Sequence, residues 1–251
     1  MADSSKRSST VRARAAGSRR PARQSSAAGK PRATAQALLP QGDVTLTDRA
    51  YAELEELIVT LQLPPGTALS ELVLAKRLDI GRTPIREALQ RLSRDGLVNI
   101  LARRGVLVSE IDLRAQLRLL EVRRELERLM ARGAAERATG EQRAQFSEIA
   151  AGMRRAAEKS DDLLFMRLDH QFNTLISAAS RNEFASRAMG LMHGLSRRFW
   201  YQHYKEAADL PLAARLHADV AEAIAERRVD AAGAASDSLI DYIESFARST
   251  L

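Results

Sequence analysis

No apolar run between residues 46 and 108 lasts long before a turn signal cuts it, so this stretch holds only short elements. Tyr51, Leu54, Leu57, Ile58 and Leu61 recur at helical spacing, with Glu53, Glu55 and Glu56 between them. They predict an amphipathic first helix, ended by Leu63-Pro64-Pro65-Gly66 because two prolines remove backbone donors and restrict the residues before them. Ser70 caps a predicted second helix, with Glu71 in its first turn and Leu74, Ala75 and Leu78 on its inner face. After a turn at Asp79-Ile80-Gly81, Thr83-Pro84 reads as a hydroxyl cap followed by proline at the first helical position. Ile85, Ala88, Leu89 and Leu92 line one side of this third helix, leaving Arg82, Arg86, Gln90, Arg91 and Arg94 elsewhere around it until Asp95-Gly96 closes it. Leu97–Ile100 and Val106–Val108 then bracket Arg103-Arg104-Gly105 as a hairpin with a basic tip.

Three short helices followed by a hairpin is the layout of a winged helix-turn-helix, an α/β unit whose recognition helix enters the major groove. Arginine suits that position because its planar fork matches guanine O6 and N7, while a helix N-terminus meets a phosphate. The competing reading is a small helical core whose arginines form only a solvated face.

From Leu113 onward the pattern is helical almost throughout, predicting an all-α bundle. Its helices are expected over Leu113–Arg137, Glu141–Lys159, Asp161–Ala179, from near Asn182, from Pro211, and over Asp230–Phe246. Leu117, Leu120, Val122, Leu126 and Leu129 on the first, and Phe184, Met189, Leu191, Met192, Leu195 and Phe199 on the fourth, read as bundle core. The expected division is a disordered basic tail (1–45), a DNA-binding domain (46–108) and a helical effector-binding and dimerisation domain (109–251).

Charge separates the tail from the rest. The chain carries +7 overall, yet residues 1–40 hold nine Lys or Arg against the single acid Asp3, so the remainder balances to −1. A tail rich in Ser, Ala and Arg attracts phosphate backbones without selecting sequence, or merely solubilises. Cysteine is absent, which excludes disulfides and thiolate metal sites and suits the cytoplasm. Apolar runs fall short of the roughly 20 residues a membrane helix needs.

The first folded stretch is more specific than its layout. Leu63-Pro64-Pro65-Gly66, Leu69-Ser70-Glu71, Leu74-Ala75, Arg82 through Leu89, Arg91-Leu92, Gly96-Leu97-Val98 and Arg103-Arg104-Gly105 closely resemble the DNA-binding domain of the GntR family of bacterial transcription regulators. The resemblance implies that Arg82, Thr83 and Arg86 contact the major groove and nearby phosphates, and that Arg104 and Gly105 form the wing tip at the minor groove. Gly81 and Leu72 depart from residues common there, so the operator sequence stays open.

The second stretch resembles the FCD type of helical ligand-binding domain through Asp112-Leu113, Glu121-Val122-Arg123, Glu127, Asp169-x-x-Phe172, Asn182, His217 and Ala223-Ile224. Six helices favour the shorter, vanillate-regulator-like branch over the FadR-like fatty-acid regulators. Many such domains hold a divalent metal (Zn, Ni, Fe or Mn) with one Asp and three His. Here Asp169 and His217 match, the first histidine position is Asn173, and the third, near Leu239, is absent, while Asp237 and Asp241 fall out of register. The metal set Asp169, Asn173 and His217 is thus incomplete and implies at most a weak site. The alternative is a metal-free pocket that binds a small organic or sugar acid through Asn173, His217 and Arg123 or Arg197, with Asp169 among the candidate residues. His170 should point away from Asp169's face, and His193 and His203 read as ordinary surface or hydrogen-bonded histidines.

The resemblance implies a homodimer on double-stranded, roughly palindromic operator DNA, with a small metabolite relieving repression. A nucleoid-type binder driven by the tail and a C-terminal domain that only dimerises are the competing readings. A metal-dependent enzyme fits poorly, since the sequence has no metalloprotease histidine pair and no phosphate-binding glycine loop.

Overall fold

The computed structural model describes residues 45–102 and 105–250. The basic tail expected over residues 1–45 falls almost wholly outside them, as do Arg103 and Arg104.

Helix α1 (Leu46–Val59) starts at Thr45, whose hydroxyl accepts from the Asp48 amide at 3.1 Å. It ends four residues before Leu63, earlier than the prolines predict. Thr60 forms the cap, Leu61 takes a left-handed φ of 57°, and the Leu63 amide turns back to the Leu57 carbonyl at 2.9 Å. The prolines instead aim the chain into a two-residue strand, β1 (Ala68–Leu69), too short to betray itself by alternation. Helices α2 (Glu71–Leu78) and α3 (Arg82–Arg94) follow, then strands β2 (Val98–Leu101) and β3 (Gly105–Val108). The three strands form an antiparallel sheet in the order β1-β3-β2. Ala50, Leu54 and Ile58 of α1 close over Leu74, Ile85, Leu89, Leu92, Leu97 and Val108, a core large enough to fix all three helices.

One expectation about α3 is corrected. Its N-cap is Gly81 in extended backbone, and Thr83 and Pro84 lie inside the first turn. Proline is tolerated there because first-turn amides have no helical acceptor. Ser70 stands at the N-cap of α2, but its side chain makes no capping bond.

Six helices follow: α4 (Leu113–Arg137), α5 (Gly140–Lys159), α6 (Asp162–Ser180), α7 (Glu183–Ala207), α8 (Leu210–Ala225) and α9 (Val229–Arg248). Helix α5 begins with a capping box of Thr139 and Gln142, while Asp161, Asn182 and Asp209 cap α6, α7 and α8. Helices α5 and α8 pack along rows of small residues, with Ala150 and Ala157 on one and Ala214, Ala218 and Ala221 on the other, so their backbones approach closely. The core lies between α4, α5, α6, α8 and α9, with Ala185 and Met189 of α7 adding to it.

Four residues expected in that core are exposed: Val122 and Leu129 on α4, and Phe184 and Leu191 on α7. Each pair is spaced by seven residues, so it forms a stripe of its own, offset from the inward face marked on α7 by Ala185, Met189 and Phe199. Leu195, from the same helix, turns the other way and packs against the core of the winged domain.

Candidate functional sites: the winged head and a polar cavity behind it

On α3, Arg82, Thr83 and Arg86 are all exposed, and no acid occupies the first turn. The helix N-terminus therefore keeps its positive end unneutralised for an incoming phosphate. Glu71 of α2 accepts from Arg86 through Nε and Nη2, at 2.9 and 2.8 Å, and lies 3.6 Å from Arg82. That fork holds both guanidiniums at the start of α3 and keeps the Glu71 carboxyl below its ordinary value. Arg91, by contrast, is consumed internally, stacking 3.9 Å over the Tyr51 ring and pairing with Asp48 at 3.1 Å. Gly105 closes the wing with φ of 89°, a conformation that favours glycine. Arg104 beside it lies outside the described residues.

Behind the head is a cavity of about 330 Å³. It collects Arg123 from α4, Asp169 and Asn173 from α6, Arg197 from α7 and His217 from α8, all five of the residues expected to meet an effector. Phe165, Trp200, Tyr242 and Phe246 supply aromatic walls. Helix α1 also contributes, through Glu56, Val59 and Thr60.

The deepest polar element is a buried pair. His217 Nε2 lies 3.1 Å from Asp169 Oδ1, and His217 Nδ1 lies 2.8 Å from the Ala213 carbonyl. The Ala213 carbonyl and an ionised Asp169 both only accept, so the arrangement favours a proton on each ring nitrogen. Burial opposes that charge, yet the Asp169 hydrogen bond and charge hold His217 above its ordinary 6.5. Burial likewise pushes the Asp169 carboxyl up, but the His217 hydrogen bond and charge outweigh it and leave Asp169 lowered. Phe165 and Phe172 meet the imidazole ring edge-on, with centroids 5.5 and 5.7 Å away.

The pH consequence follows from the two directions. The Asp169 contribution is lost as pH falls through its lowered folded value, and the His217 contribution is lost as pH rises through its raised one. The pair therefore stabilises the fold fully between about pH 4 and 6.5 and progressively less as pH rises further. In the Asp169→Asn variant only the Ala213 carbonyl and the charge of Glu127 still oppose burial, and the His217 titration followed by imidazole proton NMR is expected to move down from the parent's. A titration unchanged from the parent would show that Asp169 does not hold the proton.

The metal-binding expectation meets poor chemistry. Asn173 Nδ2 donates to Asp169 Oδ1 at 3.0 Å and to the Asp169 carbonyl at 2.9 Å, so its amide supports the carboxylate. The place of the third histidine is filled by Leu239, which lines the same cavity. Among the described residues no three His, Cys, Asp or Glu side chains converge as metal ligands. One carboxylate and one imidazole, already paired, do not fit a tightly held divalent ion.

Two guanidiniums flank this pair in different ways. Arg123 is bound by Glu127, with Nε to Oε1 at 2.6 Å, and donates to Ser196 Oγ at 2.8 Å. Arg197 makes one bond, to Glu56 of α1 at 3.2 Å. His193, which by sequence reads as an ordinary surface or hydrogen-bonded histidine, lines the same cavity. Burial, then the charges of Arg197 and Arg123, push it down to about 4 despite Asp169, so the ring is neutral near pH 7 and can both donate and accept. Ser196, Arg197 and Trp200 lie three, four and seven residues after His193, a stripe visible in the sequence that places all four on one helical face.

A winged head on a helical bundle with an internal polar cavity is the build of a DNA-binding transcription regulator. Comparison with known proteins makes the class definite. Residues 46–108 match the family described as bacterial regulatory proteins, gntR family, and residues 118–242 match the FCD domain. The chain belongs to the GntR family, in the branch that carries an FCD domain. It is 29% identical to the HTH-type transcriptional repressor RspR of Escherichia coli over 187 residues, spanning 74% of this chain and 82% of that one. It is 26% identical to the Nta operon transcriptional regulator of Aminobacter aminovorans over 172 residues, 68% of this chain and 80% of that protein. The solved structure of E. coli McbR/YncC shares the fold, with a TM-score of 0.71 at 20% identity over 82% of this chain and 99% of that one.

Proposed function

We propose that the protein is a homodimeric repressor that reads a roughly palindromic operator and releases it when a small organic or sugar acid fills the cavity of its helical domain. The observation that carries this reading is the convergence of Arg123, Arg197, Asp169, Asn173 and His217 on one cavity. Two guanidiniums and a neutral imidazole offer an acid both charge and hydrogen bonds. Arg82, Thr83 and Arg86 would read the major groove, with Gly105 and Arg104 at the wing. The repressor title of one relative supports the sign of the effect, and DNA as the target places its work in the cytoplasm. A divalent metal would be at most weakly held by Asp169, Asn173 and His217, for the chemical reasons given above.

The exposed stripes of α4 and α7 support the dimer. Val122, Leu129, Phe184 and Leu191 lie exposed on two helices that pack against each other, and a two-fold partner presents the same patch to itself.

Selecting bound duplexes from a random pool at near-physiological salt tests the reading. A two-fold-symmetric motif is expected from the parent protein, whereas Leu191→Glu should elute as a monomer and recover only half-sites with at least tenfold weaker affinity. Uniform recovery with steep salt dependence would instead assign binding to the basic tail, and a dimeric Leu191→Glu would move the interface elsewhere.

A further inference from the structure

The effector cavity is not sealed by the helical domain alone, because Glu56, Val59 and Thr60 of the DNA-binding domain form part of its wall. We propose that Glu56 is a built-in occupant of the effector site: its carboxylate holds Arg197 until an effector carboxylate takes the guanidinium, and that exchange frees α1 from α7. The inference rests on the acid-binding reading above and names which cation the acid takes and what the exchange does.

The two guanidiniums are unequal candidates. Arg123 and Glu127 sit four residues apart on one helix with side chains only 12% and 17% exposed, and Ser196 holds a further nitrogen of Arg123. Removing Glu127 from that guanidinium would strand two buried charges. Arg197 and Glu56 come from different domains, meet through one bond of 3.2 Å and are 32% and 58% exposed, so Glu56 can leave into water. An exposed pair of this kind is weak and readily exchanged.

The exchange falls where the domains are seamed. One turn before Arg197, a Cβ on Gly194 would stand 2.9 Å from Leu97 Cδ1 and 3.0 Å from Glu55 Oε1, so α7 presses against both α1 and the segment entering the wing. Next in sequence after Gly194, Leu195 packs into the winged core. Loss of the Arg197–Glu56 bond therefore loosens a seam that sets how the head is carried. The chemistry also bounds the ligand. Trp200 lies one turn beyond Arg197, and Phe165, Tyr242 and Phe246 line the same space. A carboxylate on a flat apolar body matches this combination, with His193 available to a hydroxyl or carbonyl on the ring.

Trp200 is the only tryptophan in the chain, so its fluorescence reports occupancy without any label. Sodium benzoate serves as the probe and benzamide as its uncharged twin, titrated into the parent, Glu56→Gln and Arg197→Gln, with operator from the pool selection for parallel binding curves. Benzoate should bind Glu56→Gln about two- to fivefold more tightly than the parent, the amount by which an exposed ion pair competes, and Arg197→Gln at least tenfold more weakly. Benzamide should not distinguish the three. Benzoate should also shift operator affinity less in Glu56→Gln than in the parent, because the bond it would break is already gone. Unchanged or weaker benzoate binding in Glu56→Gln, with the loss in Arg197→Gln intact, would overturn the exchange while leaving the acid site standing. No saturable change of Trp200 fluorescence with benzoate in any of the three proteins would overturn the acid site and the exchange together.

Discussion

Replacing Arg82 and Arg86 together by alanine is expected to weaken specific operator binding at least 100-fold while leaving the protein folded. Each guanidinium that engages a guanine edge discriminates by about 1–3 kcal/mol, or roughly one to two decades, and the pair acts at separate bases. The fold should survive because both side chains are exposed and, among the described residues, their one partner is Glu71 on the same surface. Circular dichroism and size-exclusion chromatography should match the parent, with a melting temperature within a few degrees. Single variants should each relax one position of the selected motif rather than weaken all sequences alike. Parent-like operator affinity in the double variant would remove α3 as the reading helix. The geometry also separates these arginines from Arg91, whose stacking on Tyr51 and pairing with Asp48 hold α1 to α3. Arg91→Ala should therefore act through stability, not through sequence preference.

A second large effect is expected at Arg198, one residue beyond Arg197. Arg198 is 2% exposed and has no carboxylate partner among the described residues. It donates instead to the Ser109 carbonyl at 2.9 Å, to Ser109 Oγ at 3.1 Å and to the Glu110 carbonyl at 3.1 Å, binding α7 to the segment that links the winged domain to α4. Ser109 in turn donates to the Gly96 carbonyl at 2.7 Å, so one guanidinium organises the whole crossing. The cost of burying it is visible: Nε has no partner among the described residues, and burial pushes the group down to about 10, with Glu110 only partly opposing. Arg198→Met keeps the apolar stem but strands two carbonyls and a hydroxyl. The expected loss is about 3 kcal/mol, since hydrogen bonds to charged groups contribute roughly 1.5–3 kcal/mol each and are not additive. For a chain of this size that lowers Tm by about 6–12 °C. An unchanged Tm would show that the linker holds itself without the guanidinium.

The two arginines side by side on α7 divide the work of the seam. Arg198 is a buried fastening that cannot let go cheaply, whereas Arg197 is a half-open contact shared between a cavity and the reading head. A regulator needs both, because a signal can only bias an equilibrium between arrangements that each stay folded.

Much of the architecture was legible from local signals. The winged head is announced by Pro64-Pro65-Gly66, the turn at Asp79-Ile80-Gly81 and the glycine-containing hairpin, and the six helices by their apolar periodicity, because caps, breakers and spacing act over a few residues. Thr83 shows the limit even there: a hydroxyl before a proline looks like a cap, but Gly81 takes that place once the turn before it is built. The cavity was half legible. Asp169, Asn173 and His217 were placed together by a family pattern and do meet, while His193 was set aside because nothing within its own helix says which neighbour it faces. What only the tertiary structure decided was partnership across elements. Val122, Leu129, Phe184 and Leu191 look like core residues by type and are left outside by the rotation of their helices. Glu56 looks like a solvated carboxylate and becomes part of the wall of the cavity behind the head. Periodicity fixes which residues share a face, but only packing fixes what that face meets.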